Sequence, residues 1–121
     1  LSETDLHGTI LFANDKFCEV SKYSREELIG KSQNIVRHPD MPRELFKLFW
    51  KTIQSGEVFK GIVKNKAKDG TAYWVDATIV PIKNNAGEVI KYVGSRYHIQ
   101  DDALGLTLYN KQAEKFGWPI L

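Results

Sequence analysis

The sequence predicts an α+β domain built on a five-stranded antiparallel sheet, with short helices and one longer helix over one face and a trailing C-terminal helix. Three observations carry that expectation. Two short β-prone runs open the chain, a helical block with apolar residues three and four apart follows, and from Val58 onward the period changes to two. Strands on either side of a helical block indicate α+β rather than repeated βαβ units. A length of 121 residues implies one domain of about 14 Å radius of gyration. With 42% hydrophobic and 26% charged residues, the composition is globular rather than disordered or coiled-coil.

Gly8 suits a tight turn between a first short strand and Thr9-Ile10-Leu11-Phe12-Ala13. Asn14-Asp15 places a side-chain acceptor ahead of Phe17, Val20 and Ser21, whose spacing fits one short helix. Ser24 to Glu27 reads as a capping box, with Leu28 and Ile29 as the apolar pair and Gly30 as the stop. Lys31 to Asp40 reads as a loop with one helical turn at Asn34 to Val36. Asp40 is expected to cap the long helix. There Phe46, Phe49, Trp50 and Ile53 form a stripe flanked by Leu45 and Leu48, while Arg43, Glu44, Lys47 and Lys51 face away and Ser55-Gly56 closes it. Phe59, Gly61, Val63 and Asn65 then share one strand face, and Lys60 and Lys64 are expected on a solvated face. Asp69-Gly70 and Asn84-Asn85-Ala86-Gly87 separate three long strands into a meander. After Asp101 a helix is expected with Leu104, Leu108, Tyr109 and Gln112 on a similar side, weakened by about 1 kcal/mol at Gly105. The segments 1–100 and 101–121 therefore read as the domain proper and a C-terminal helix or linker toward a further output region. The chain begins at Leu1 without Met or a leader, as a segment of a longer protein would. The apolar end from Phe116 to Leu121 is open between core, interface and the approach to a membrane segment.

Seventeen Lys and Arg against 15 Asp and Glu give a net charge of +2, too little to favour nucleic acid as a partner. No apolar run reaches the roughly 18 residues of a membrane span, so no membrane contact is expected of this segment, and it reads as cytoplasmic. Cys18 has no partner for an internal disulfide. It also lacks the surroundings that activate a thiolate. No phosphate-binding glycine loop or nucleophile elbow is present. His7, His38 and His98 have no metal-ligand spacing.

What remains is a constellation around the long helix: Asn34, Arg37, His38, Asp40, Phe46, Trp50 and Asn65. Arg37-His38-Pro39-Asp40 beside a helix N-terminus suits an anion such as phosphate, or equally a cap and a local ion pair. Phe46 and Trp50 fit either plain core or ring stacking. Asn65, on the face of Phe59 and Val63, is a buried amide that needs partners at both ends. A heteroaromatic ring or a neighbouring backbone would supply them.

The run from Asp5 to Asp15, followed by Phe17-Cys18-Glu19-Val20-Ser21-Lys22-Tyr23-Ser24-Arg25-Glu26-Glu27-Leu28-Ile29-Gly30-Lys31, resembles the opening of a PAS domain. Asn34-Ile35-Val36-Arg37-His38-Pro39-Asp40-Met41-Pro42, with Phe46, Trp50 and Gly61-Ile62-Val63-Lys64-Asn65, is similar to the aerotaxis-receptor branch, whose PAS module holds FAD. The resemblance implies that Asn14, Arg37, His38, Asp40, Phe46, Trp50 and Asn65 match positions that bind or support the flavin. It implies a PAS fold and a non-enzymatic redox sensor, indirectly an oxygen sensor, in an aerotaxis or chemotaxis receptor that is anchored at a membrane. Its implied partners are a homodimeric copy and the receptor's downstream signalling region. Photosensing LOV domains of the same family require an adduct-forming Cys within an Asn-Cys-Arg-Phe-Leu-Gln motif before the long helix, where this chain has Asn34-Ile35-Val36-Arg37-His38 and no Cys, so no photoadduct is expected. His98-Ile99-Gln100-Asp101 stands where many relatives have Asp-Ile-Thr, which leaves the exit to the trailing helix open. The competing readings are a haem-binding gas sensor using His38, a cofactor-free dimerisation or partner-docking module using the Leu104, Leu108 and Tyr109 face, and a small flavin enzyme.

Overall fold

Period-two alternation in three long runs gives each strand an inward and an outward row of side chains. The computed structural model, which describes residues 1–121, shows the sheet they build. Its strands are β1 (Ser2–Thr4), β2 (Ile10–Ala13), β3 (Phe59–Lys66), β4 (Ala72–Lys83) and β5 (Val89–Ile99), in the order β2-β1-β5-β4-β3 with every neighbouring pair antiparallel. Between β2 and β3 lie α1 (Asp15–Ser21), α2 (Arg25–Leu28), a 3-10 turn (Gln33–Val36) and α3 (Arg43–Gln54). The chain ends in α4 (Asp102–Phe116).

Local signals were realised closely in the first helices. The Asn14 side chain accepts the Phe17 N–H at 3.0 Å and caps α1. Ser24 and Glu27 form the reciprocal capping box of α2. Asp40, in contrast, does not cap α3. Pro42 occupies the N-cap position without a side-chain bond, and the Asp40 carboxylate reaches Lys64 Nζ on β3 at 3.0 Å. Lys64 is therefore not part of a free solvated face, although Lys60 is exposed.

The two faces of the sheet are covered differently. α1 to α3 lie over the face bearing Phe59, Val63 and Asn65. α4 crosses the opposite face at Trp74. Its buried row is Gly105, Tyr109 and Ala113, one residue round from the expected stripe, and Leu104 is 47% exposed. The reason is tertiary. A side-chain carbon at Gly105 would overlap Trp74, so glycine lets the helix backbone rest on the indole. Tyr109 then packs against the same ring with centroids 5.4 Å apart. This removes Tyr109 from the face that the competing docking reading used, leaving Leu104 exposed and Leu108 half-buried. Trp118 joins this core while Phe116, Ile120 and Leu121 remain exposed, which divides the apolar C-terminal end between core and surface.

β3 is a sheet edge, and an edge with free peptide groups invites unwanted pairing. Here it is covered twice. Gln112 of α4 accepts the Ile62 N–H at 2.8 Å and donates to the Ile62 carbonyl at 3.0 Å. The loop before α3 adds an antiparallel bridge between Arg37 and Asn65, and the Met41 sulfur accepts the Lys64 N–H at 3.3 Å.

Candidate functional site

Between α3 and the sheet lies a cavity of about 90 Å³, continuous with solvent at its mouth. The roof is the inner side of α3, where Leu45, Phe46, Phe49, Trp50 and Ile53 recur at helical spacing. The floor is the inward row of the central strands: Val63 and Asn65 from β3, Val75 and Ala77 from β4, Gly94 and Arg96 from β5. Gln33, Asn34 and Arg37 of the 3-10 turn and its exit close one side. The arrangement is the usual one for a small-molecule site, apolar walls with few convergent polar groups.

Of the residues singled out from the sequence, the structure brings Asn34, Arg37, Phe46, Trp50 and Asn65 together around this cavity. It does not place Asn14, His38 or Asp40 in the lining. Asn14 holds the start of α1. His38 Nδ1 accepts the Asp40 N–H at 3.0 Å, and the Asp40 carboxylate, held below its ordinary pKa chiefly by the Lys64 hydrogen bond, ties this loop to β3. Burial together with Lys64 lowers the His38 pKa.

The Arg37 guanidinium lies 3.5 Å from the centroid of the Phe46 ring, a cation–π contact, and burial lowers its pKa. Trp50 meets Tyr92 edge-on with centroids 6.1 Å apart. Its indole also passes close to Gly8, where a side-chain carbon would approach within 3.2 Å at a backbone φ of +86°. Only glycine satisfies both demands there.

Two site residues escaped the sequence reading. The Gln33 side chain lines the cavity, and both its Oε1 and its Nε2 are buried without a hydrogen-bond partner. A buried unsatisfied polar group costs about 1–3 kcal/mol, so an orphaned amide in a cavity wall points to a ligand edge carrying both donor and acceptor. Its signal was the second amide beside Asn34. Arg96 is the other. It retains some accessible surface, yet its guanidinium is enclosed enough that desolvation pulls its pKa down to about 10. Its signal was a charged residue at an inward position of a strand, in register with Ala77.

Outside the cavity, an open groove shares Asn34, Arg37, Phe46 and Trp50 with it and adds Arg43, Lys47 and Lys51 from the outer side of α3. These three cations repeat every four residues, a spacing at which like charges repel. No group of three or more His, Cys, Asp or Glu residues is placed to hold a metal ion. No helix is long and apolar enough to cross a membrane.

Comparison with known proteins agrees with this architecture. The family model for the PAS fold matches residues 10–96. The chain is 43% identical over 104 residues to the aerotaxis receptor of Escherichia coli (strain K12), covering 86% of this chain and 20% of the receptor. It thus spans about a fifth of that relative. The dark-state structure of the blue-light photoreceptor Aureochrome1 LOV superposes with a TM-score of 0.84 at 20% identity, over 94% of this chain and 84% of that one. A light-oxygen-voltage domain studied with a flavin analogue gives 0.81 at 22% identity, over 93% of this chain and 86% of that one. With the matched family model running from β2 through α1 to α3 and into β5, most of the chain, the chain belongs to the PAS family.

Proposed function

We propose that the domain binds FAD in this cavity and reports its redox state, and through it oxygen, by conformational change within a receptor of the aerotaxis type. The observation that carries the proposal is the chemistry of the lining. An apolar slot with aromatic side chains, the unpartnered Gln33 amide and the buried Asn65 amide suits a planar ring with alternating donors and acceptors. The adjoining groove supports a dinucleotide over a mononucleotide. Its Arg43, Lys47 and Lys51 are suited to a diphosphate. The similarity to the aerotaxis receptor supports the sensory role.

About 90 Å³ of the cavity can be occupied by the centre of a water molecule. An apolar cavity of about 150 Å³ holds benzene, so a fused tricyclic ring enters only as part of the wall moves. The side chains common to cavity and groove, Asn34, Arg37, Phe46 and Trp50, are the wall that separates them. Displacing Arg37 from the Phe46 ring joins the two spaces.

Bound flavin would supply a ring whose charge and protonation change with electron transfer. The chain's part is to feel that change. Asn65 sits on β3 beside Tyr73, whose phenol burial pushes up to about 12. Its peptide bridges to Arg37, and three residues earlier the Ile62 peptide is gripped by Gln112 of α4. A shift of β3 at Asn65 therefore reaches both the cavity mouth and the helix on the far side of the sheet. The difference between two signalling states must be a few kcal/mol to move their populations, about that of one or two buried hydrogen bonds. Cytoplasmic location, self-association and coupling to a downstream signalling region complete the proposal.

The absorption spectrum of freshly purified protein tests it, with Arg37→Ala and Asn65→Ala in parallel. The expected result is flavin bands that weaken severalfold in both variants. A variant that folds and keeps its full flavin content removes that residue from the site. A haem spectrum would need an axial ligand, and His38 does not line the cavity.

A further inference from the structure

We propose that Arg96 favours negative charge on the bound ring, so that the cavity prefers reduced over oxidised flavin more strongly than it would with a neutral side chain at this position. The inference rests on the flavin reading above.

Register sets Arg96 opposite Ala77, which in turn faces Gly61, so the neighbouring inward residues across the sheet are small. The guanidinium folds back over Gly94. A side-chain carbon at Gly94 would come within 2.8 Å of Nη1 and 3.0 Å of Nη2, so the glycine leaves the space that the group occupies. Nη1 donates to Ser2 Oγ at 2.9 Å and to the Gly94 carbonyl at 3.4 Å. Nε and Nη2 donate to no protein acceptor, and no carboxylate pairs with the group. The Phe17 ring, 5.1 Å from the guanidinium carbon, covers another side. Enclosing a cation without a carboxylate is costly, and such a group in a cleft is a candidate functional residue.

The rest of the lining reinforces this. Its ionisable side chains are Arg37, Tyr92 and Arg96, and none is a carboxylate. Arg37 lies against Phe46 on the wall shared with the outer groove. Burial keeps Tyr92 in its neutral form. Arg96 is thus the cation on the sheet side of the cavity, with donors free and no carboxylate to oppose it; the Tyr73 phenol near it is pushed up to about 12 by burial. Two electrons from a reductant of the dithionite class and one proton from water would leave the isoalloxazine with one negative charge; a second proton would cancel it. Arg96 stabilises the charged form over the oxidised neutral ring.

The test is spectroelectrochemical titration of FAD-reconstituted wild type, Arg96→Gln and Arg96→Lys, with folding checked by circular dichroism. Arg96→Gln is expected to lower the preference for reduced flavin at least tenfold, which is about 30 mV for a two-electron couple. Arg96→Lys keeps the charge and stays within threefold of wild type. A flavin-loaded Arg96→Gln protein with the wild-type potential overturns the role of Arg96 alone. Wild-type protein that binds no FAD overturns the flavin reading and this inference with it. Should Arg96→Gln not fold or load, the wild type still decides: the N–H of its bound oxidised ring is expected to ionise at a lower pH than in free FAD. Ionisation at the same or higher pH overturns the proposal.

Discussion

The two faces of the sheet solve opposite problems. On the outer face, Trp74 is sandwiched against the backbone of α4 at Gly105 and against Tyr109. On the inner face, apolar walls enclose empty space, the Gln33 amide has no partner and Arg96 has no carboxylate. Close packing is the rule in protein interiors, so the outer contact is what stability alone would select. The inner face departs from that rule at several adjacent positions, as the proposed ligand site requires.

The sharpest way to break the comparison is Trp74→Ala. Removing the indole from a buried contact is expected to cost about 3–5 kcal/mol, measured by urea denaturation, and to loosen α4. A loss under about 1 kcal/mol would mean that the outer face is not the stability face. Next comes Gly105→Ala. Helix propensity alone predicts a gain of about 1 kcal/mol, but the methyl group collides with Trp74, and overpacking of this kind costs about 1–3 kcal/mol. The expected net change is a loss, and a measured gain would contradict the packing described for α4.

The inner face should respond with the opposite sign. Gln33→Met removes an orphaned amide and is expected to raise the unfolding free energy of the ligand-free protein by about 1 kcal/mol while lowering flavin retention severalfold. Destabilisation of the ligand-free protein would show that the amide is satisfied. The smallest effect belongs to the exposed ion pairs, which serve neither face. Lys68, Lys64 and Lys22 hold the carboxyls of Glu27, Asp40 and Asp69 below their ordinary values. Their contribution is present above the ordinary carboxylate pKa of about 4 and is lost as pH falls through the lower folded values. Melting temperature should be nearly flat above about pH 5 and decline below pH 4. Asp69→Asn is expected to remove part of that decline.

The same contrast explains what was legible in the sequence. Features set by local chemistry could be read: the Asn14 cap, the Ser24 and Glu27 capping box, the Asp-Gly turn at Gly70 and the apolar stripe of α3. Features set by tertiary contact could not. Asp40 has the right chemistry for a cap but is drawn to Lys64 across the chain, leaving Pro42 at the helix start. The buried row of α4 is fixed by Trp74, thirty-one residues before Gly105. In the cavity lining, Arg37 and Asn65 stood out because their types are unusual where they stand, whereas Asn34, Phe46 and Trp50 stood out mainly through the family resemblance. Gln33 and Arg96 were not, because a polar residue announces a ligand only when its partners are seen to be missing.

The central claim is that the inner face holds FAD, and the most direct measurement is the absorption spectrum of the purified protein before and after incubation with excess FAD and removal of the unbound fraction. The account predicts retained flavin bands approaching one FAD per chain, diminished in Arg37→Ala and Asn65→Ala. A folded protein that stays colourless through that treatment would contradict it.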